Sequence, residues 1–216
     1  MSKYGFVFLG FCLIFSLVSC GKTTPASRSA ANGSEQSDKF AVIEDGRVTH
    51  IQTKGSLAST YFVPCVGIEG VKNVFTPADL YPASARCLQA KQYKRAIELY
   101  SLAGAYAAFD GERIADDKVG GAANTVLIMR HVRPVIQSSD EVRDGFVAAM
   151  EALSAETGSY CDAVKKIGKP NYHPEYMIRH SLQYLRSNAE SYDLLKSNFD
   201  ADGTWSHILA NFFHCP

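Results

Sequence analysis

Six cysteines occur in the chain, and the four beyond Cys12 and Cys20, namely Cys65, Cys87, Cys161 and Cys215, constrain the fold most. The first residues read MSKYGFVFLGFCLIFSLVSC. Lys3 gives a positive start and Phe6 to Val18 an apolar run, the layout of a secretory signal. That run is short of the roughly 20 apolar residues that span a bilayer, and Gly, Lys, Thr, Pro and Ser follow it at once. In an exported chain an even set of remaining cysteines is expected to form two disulfides. Sequence does not choose among the possible pairings. Cys65 with Cys87 and Cys161 with Cys215 are favoured, because each pair keeps to its own half of the chain and clips a terminal segment to a helix. Buried free thiols are a weaker alternative, and a zinc site weaker still, since no Cys-x-x-Cys spacing occurs.

Leu17, Val18, Ser19 and Cys20 resemble the lipobox of bacterial lipoproteins: a branched apolar residue, two small ones and then the cysteine. The resemblance implies cleavage before Cys20, leaving 1–19 as the signal peptide, and diacylation of the Cys20 thiol. Several acyl chains make a stable anchor, at about 0.8 kcal/mol per buried methylene. Gly21 stands where the family's inner-membrane retention signal has Asp, so the resemblance implies an outer-membrane lipoprotein facing the periplasm.

Residues 20–39 are then the lipidated cysteine and a flexible tether, rich in Ser, Thr, Ala and Gly with little to bury. Residues 40–216 fit one hydrophobic core. Formal net charge is zero and no basic block occurs, so nucleic acid is not an expected partner.

The expected fold is mainly α, an irregular helical domain opened by a small β-hairpin and braced by two disulfides. The alternation over Phe40–Gln52 around Asp45-Gly46 predicts the hairpin. Gly55, Pro64, Gly67 and Gly70 punctuate possible short strands up to Asn73. Thr76 and Pro77 predict a helix start. A helix is expected over Ile114–His131, with Gly120 and Gly121 as a break and Pro134 as its end or a kink. Ser138 and Glu141 form a capping-box pattern ahead of a face of Val142, Phe146, Met150 and Leu153. Gly158 precedes a short helix carrying Cys161 and Val164, stopped by Gly168 and Pro170. Pro174 opens a helix with Ile178, Ser181, Leu182 and Leu185 on one face. Thr204 caps a last helix whose buried stripe is Trp205, Ile208, Leu209 and Phe212.

Within 79–110, Leu80, Ala83, Ser84, Cys87, Tyr93, Ala96, Tyr100 and Ala103 resemble the large and small positions of one tetratricopeptide repeat. The glycines usual in the first helix and at the turn are missing, Lys91 and Gln92 standing at the turn. With no second copy at that period, the resemblance implies one repeat-like helical hairpin rather than a solenoid.

Candidate chemistry is sparse. Asn198, Asp200, Asp202, Gly203 and Ser206 resemble the start of an EF-hand calcium loop, but Leu209 replaces the bidentate Glu, which favours an Asp-rich helix cap over a metal site. Tyr172, His173, Tyr176 and His180 form a run of polar aromatics that could line a binding surface, set against structural packing. No nucleophile elbow, phosphate loop or His-Glu-x-x-His motif occurs, so no catalytic residue, metal or cofactor is expected. The reading is an anchored envelope lipoprotein that binds another protein. Its size, anchor and helices look like those of immunity proteins that neutralise envelope-targeting toxins. An envelope assembly or scaffold lipoprotein is the alternative, and an enzyme with an unrecognised site is the third.

Overall fold

The computed structural model describes residues 40–45, 48–155, 158–186 and 194–216, with side chains described from Thr53 onward. The expected signal peptide (1–19) and the expected lipidated cysteine and tether (20–39) lie outside the described residues. β1 (Phe40–Asp45) and β2 (Val48–Thr53) pair antiparallel, with Val42 opposite Ile51. Gly46 and Arg47, on which the turn reading rests, lie outside the described residues. The rest of the described part is mainly helical. The stretch after Thr53 carries a single 3₁₀ turn, Ile68–Gly70, in place of the short strands expected there.

Thr76 opens the helical body. Its backbone N–H and hydroxyl donate to the Asp79 carboxylate at 2.8 and 2.9 Å, and Pro77 takes the first helical position, where an N–H would have no partner. Helix α1 (Pro77–Gln89) turns through residues 90–92 into α2 (Tyr93–Arg113). Lys91 takes the left-handed conformation (φ 56°) more usual for glycine at a helix end, which explains how the turn manages without one. Leu80, Ala83, Ser84, Cys87 and Leu88 on α1, and Ala96, Leu99, Ala103 and Tyr106 on α2, are fully buried. The Ser84 hydroxyl donates to the Ala96 carbonyl at 2.8 Å, joining the two helices directly.

The helix expected from Ile114 starts later. Ile114 forms an antiparallel bridge with Leu195, and α3 begins at Val119 (Val119–Leu127). Gly120 and Gly121 do not break it. A Cβ on Gly120 would lie 2.8 Å from the Gly111 Cα, so this glycine is what allows α3 to approach the backbone of α2, whereas a Cβ on Gly121 would meet nothing. Helix α3 continues through one π-helical turn, Ile128–Val132, into α4 (Arg133–Ile136), and the Arg133 N–H reaches back to the Ile128 carbonyl. Pro134 accounts for the widened turn, since it offers no N–H and its ring presses on the carbonyl four residues earlier.

Helix α5 (Asp140–Ala155) is capped by Ser139 rather than Ser138, its hydroxyl accepting the Val142 N–H at 3.2 Å. Glu141, expected to complete the cap, instead pairs with Lys91 at 2.7 Å. Gly145 lets α5 lie against α2: a Cβ there would be 2.5 Å from the Tyr93 ring. Helix α6 (Gly158–Ile167) ends at Gly168, whose φ of 84° suits a glycine stop.

The helix expected after Pro174 is two short ones, α7 (Glu175–Ile178) and α8 (Leu182–Arg186). Ser181 divides them, because its hydroxyl accepts the Tyr184 N–H at 3.0 Å and so starts a new helix instead of continuing the old one. Leu182 is consequently 60% exposed rather than buried. Helix α9 (Ala201–Asn211) is capped by Asp200, which accepts the Gly203 N–H at 2.9 Å, so Thr204 is inside the helix. Its buried residues are Trp205 and Ile208, and Phe213 is buried where Phe212 was expected.

Disulfides join Cys65 to Cys87 and Cys161 to Cys215, with Cα atoms 4.9 and 5.6 Å apart. The first ties the irregular segment to α1 and the second ties the C-terminus to α6. Phe109 and Trp205 meet edge to face, and Phe109 also meets Phe199 at 5.2 Å between centroids, which packs α9 and its approach against α2. Among the described residues no helix is long and apolar enough to cross a membrane.

Candidate protein interface

The Tyr172–His180 segment is bound to the interior through a carboxylate that the sequence reading passed over. Asp110, on α2, is fully buried; its Oδ2 accepts the hydroxyls of Tyr172 at 2.9 Å and Tyr176 at 2.7 Å, and its Oδ1 accepts Arg113 at 2.6 Å. Burial raises the Asp110 carboxyl above the usual range, while Arg113 and the two phenols act in the other direction. Burial likewise raises both phenols, so their protons stay on oxygen as donors. The Arg113 guanidinium also stacks 5.2 Å from the centre of the Tyr172 ring. Ala96, Leu99, Ala103, Tyr106 and then Asp110 continue one helical stripe, and an acid on such a stripe is the signal that would have found this group.

The polar tips of Tyr172 and Tyr176 are therefore spent inside the fold. His173 and His180 go elsewhere: His173 Nε2 is 3.2 Å from Glu175 Oε2, and His180 Nδ1 is 3.0 Å from Ser56 Oγ. The structure brings the two tyrosines to one carboxylate and separates the two histidines.

A different segment faces outward with more apolar surface. Phe62 is 79% exposed and Tyr61 beside it 45%. Such side chains would ordinarily fold back or move freely, but here the backbone is clamped. Asp79 Oδ1 accepts the Ser59 hydroxyl at 2.7 Å and the N–H groups of Thr60 and Tyr61 at 2.7 and 2.8 Å. With Thr76 on its other oxygen, this one buried carboxylate accepts five hydrogen bonds and joins the loop to the start of α1. Beyond the aromatics, Arg86 donates to the Val63 carbonyl and the Cys65–Cys87 disulfide fixes the chain again. The Arg86 guanidinium lies 4.5 Å from the centre of the Phe62 ring, so an arginine of α1 and the displayed aromatic form one unit.

The π-helical turn borders the same arginine. Helix α1 packs against this turn, from which Met129, 47% exposed, takes a contact from Arg133 on its sulfur at 2.9 Å. His131 within the turn is held below the usual histidine range by partial burial first, then by Arg130 and Arg86. Phe62 and Arg86, with His131 within electrostatic reach of that guanidinium, thus outline a face that is apolar at the ring and positively charged beside it. Aromatic and arginine side chains held in place are the kind that carry most of the binding energy at protein interfaces, and the clamps reduce the ordering cost of association.

The remaining sequence candidates are structural in this arrangement. Asp200 caps α9, and Asp202 pairs with Lys169. Among the described residues no group of three or more His, Cys, Asp or Glu side chains could hold a metal ion. Comparison with protein-family models, with curated proteins and with solved structures gave no match.

Proposed function

We propose that the chain is a bacterial envelope lipoprotein, anchored through diacylated Cys20, whose helical domain binds another protein through the face around Phe62. The observation that carries this reading is Phe62 itself: an aromatic ring largely in water on a loop held by Asp79, Arg86 and a disulfide. Arg86 beside it favours a partner that offers an apolar recess with an acidic rim. The two disulfides fit an exported chain, and the α1–α2 hairpin, read as tetratricopeptide-like, supplies the rigid support for the loop. Within this reading the domain acts as an immunity protein at the outer membrane, facing the periplasm and covering the working surface of an envelope-targeting toxin. The assembly or scaffold reading uses the same face on a different partner.

Photocrosslinking in the native bacterium tests this directly. A benzophenone-bearing residue replaces Phe62 in the full chain, and Val147 on α5, 47% exposed, serves as the control position. One protein adduct at position 62 that is absent at 147 is expected. Toxicity of that protein in the periplasm, relieved by this chain, supports the immunity form, and a non-toxic envelope partner supports the scaffold form. Equal adducts at both positions, or none at position 62, overturn the proposal.

A further inference from the structure

A cavity of about 690 Å³ lies between residues 53–56, α3 with its π-helical turn, and the α7–α8 stretch. Its volume is in the range of sites that enclose small organic ligands. Lys118, Arg130 and Arg179 line it, against Asp116 as the acidic residue of its wall. Arg179 is already engaged, donating to Glu175 and to the Lys54 carbonyl. No ion-pair partner is seen among the described residues for Lys118 or Arg130. In a chain with zero formal net charge, this concentrates positive charge in one concave place.

The neutral donors add to it. Ser56 and His180 both line the cavity and share one hydrogen bond at 3.0 Å. Neutral imidazole and hydroxyl together carry two protons, and their mutual bond uses one, so whichever tautomer is present the pair keeps one N–H or O–H to give. The site is rich in donors and poor in acceptors. The rest of the wall is apolar: Val126 and Leu185 are half-buried and Leu182 is largely exposed at its edge. A hydrated inorganic ion would gain nothing from those side chains, whereas burying a short alkyl or aryl group against them is worth about 25 cal/mol per Å² of apolar surface.

We propose that this cavity binds a small anionic amphiphile, its carboxylate or phosphate head held by Arg130, Lys118 and the Ser56–His180 pair and its apolar body against Val126, Leu182 and Leu185. None of the residues that line it is among those named for the Phe62 face. Either a free fatty acid or a phospholipid-derived head supplies this chemistry.

Equilibrium dialysis of the full chain in neutral-detergent micelles, with empty micelles subtracted, provides the test. The probes are octanoate, octyl phosphate, octanol and inorganic phosphate. Saturable one-to-one binding of octanoate or octyl phosphate is expected, with octanol and inorganic phosphate at least about tenfold weaker. Preference for octanoate points to a free fatty acid as the source, and preference for octyl phosphate to a phospholipid-derived head. Arg130→Gln and Lys118→Gln, both exposed positions whose variants should keep the wild-type Tm, are each expected to weaken binding by about tenfold or more. Absence of saturable binding overturns the proposal. So does octanol equal to octanoate, inorganic phosphate equal to octyl phosphate, or full affinity in both variants.

Discussion

The Asp79 carboxylate accepts the backbone N–H of Tyr61 at 2.8 Å, across a sequence separation of 18 residues. One buried acid thereby starts a helix and fixes the direction in which the neighbouring Phe62 leaves the surface. Asp79→Ala removes an acceptor from five donors, and hydrogen bonds to a charged group contribute about 1.5–3 kcal/mol each, with strong non-additivity. A loss of at least about 3 kcal/mol in urea unfolding is expected, with faster proteolytic nicking between Ser59 and Val63. Wild-type stability together with wild-type protease resistance would show that the clamp contributes little.

The two adjacent glycines of α3 should respond in opposite directions. Gly120→Ala forces a methyl to within 2.8 Å of the Gly111 Cα and is expected to destabilise by about 2 kcal/mol or more. Gly121→Ala meets open space and gains helix propensity, a stabilisation of about 0.5–1 kcal/mol. Chemical denaturation of the two variants measures both, and equal effects would contradict the close crossing of α2 and α3.

Partial burial first, and neighbouring arginines second, hold His131 and His180 below their ordinary value of 6.5. The unfolded chain therefore takes up protons below pH 6.5 that the folded chain resists, and these two groups make stability fall as pH drops through 6.5 toward their folded values. The double variant His131→Gln, His180→Gln is expected to show a shallower loss over that window, followed by urea unfolding at a series of pH values. An unchanged slope would mean that neither histidine resists protonation.

The disulfides should differ in what they support. On loop length alone, removing Cys65–Cys87 costs about 3 kcal/mol and Cys161–Cys215 about 4 kcal/mol, from separations of 22 and 54 residues. Only the first borders the aromatic loop. Cys65→Ala with Cys87→Ala is expected to weaken partner capture at temperatures where both double variants remain folded, whereas Cys161→Ala with Cys215→Ala leaves it intact. The reverse order would place the interface near the C-terminus.

Local chemistry made much of the fold legible. Thr76-Pro77 marked a helix start and Gly168 a stop, and the half-by-half preference for the cysteines matches the pairing observed. The failures occurred where a tertiary contact decides between two local readings. Gly120 resembles a break until the backbone of Gly111 lies against it, and Ser181 looks like one more residue of a helix until its hydroxyl caps the next. The tyrosines at 172 and 176 were visible as a cluster, but the direction of their hydroxyls depends on Asp110, more than 60 residues away. The Phe62 loop was illegible for a similar reason: its order comes from Asp79 and Arg86, and no periodicity within the loop announces it.

The most direct test is a non-reducing pull-down from the native organism with the full chain, comparing wild type with Phe62→Ser at matched Tm. Recovery of one stoichiometric partner by wild type is expected, and its affinity should fall by more than about tenfold in the variant, as for a central interface aromatic. A partner recovered equally by both chains, or no partner with wild type, would contradict the claim that the clamped aromatic loop is where this protein binds.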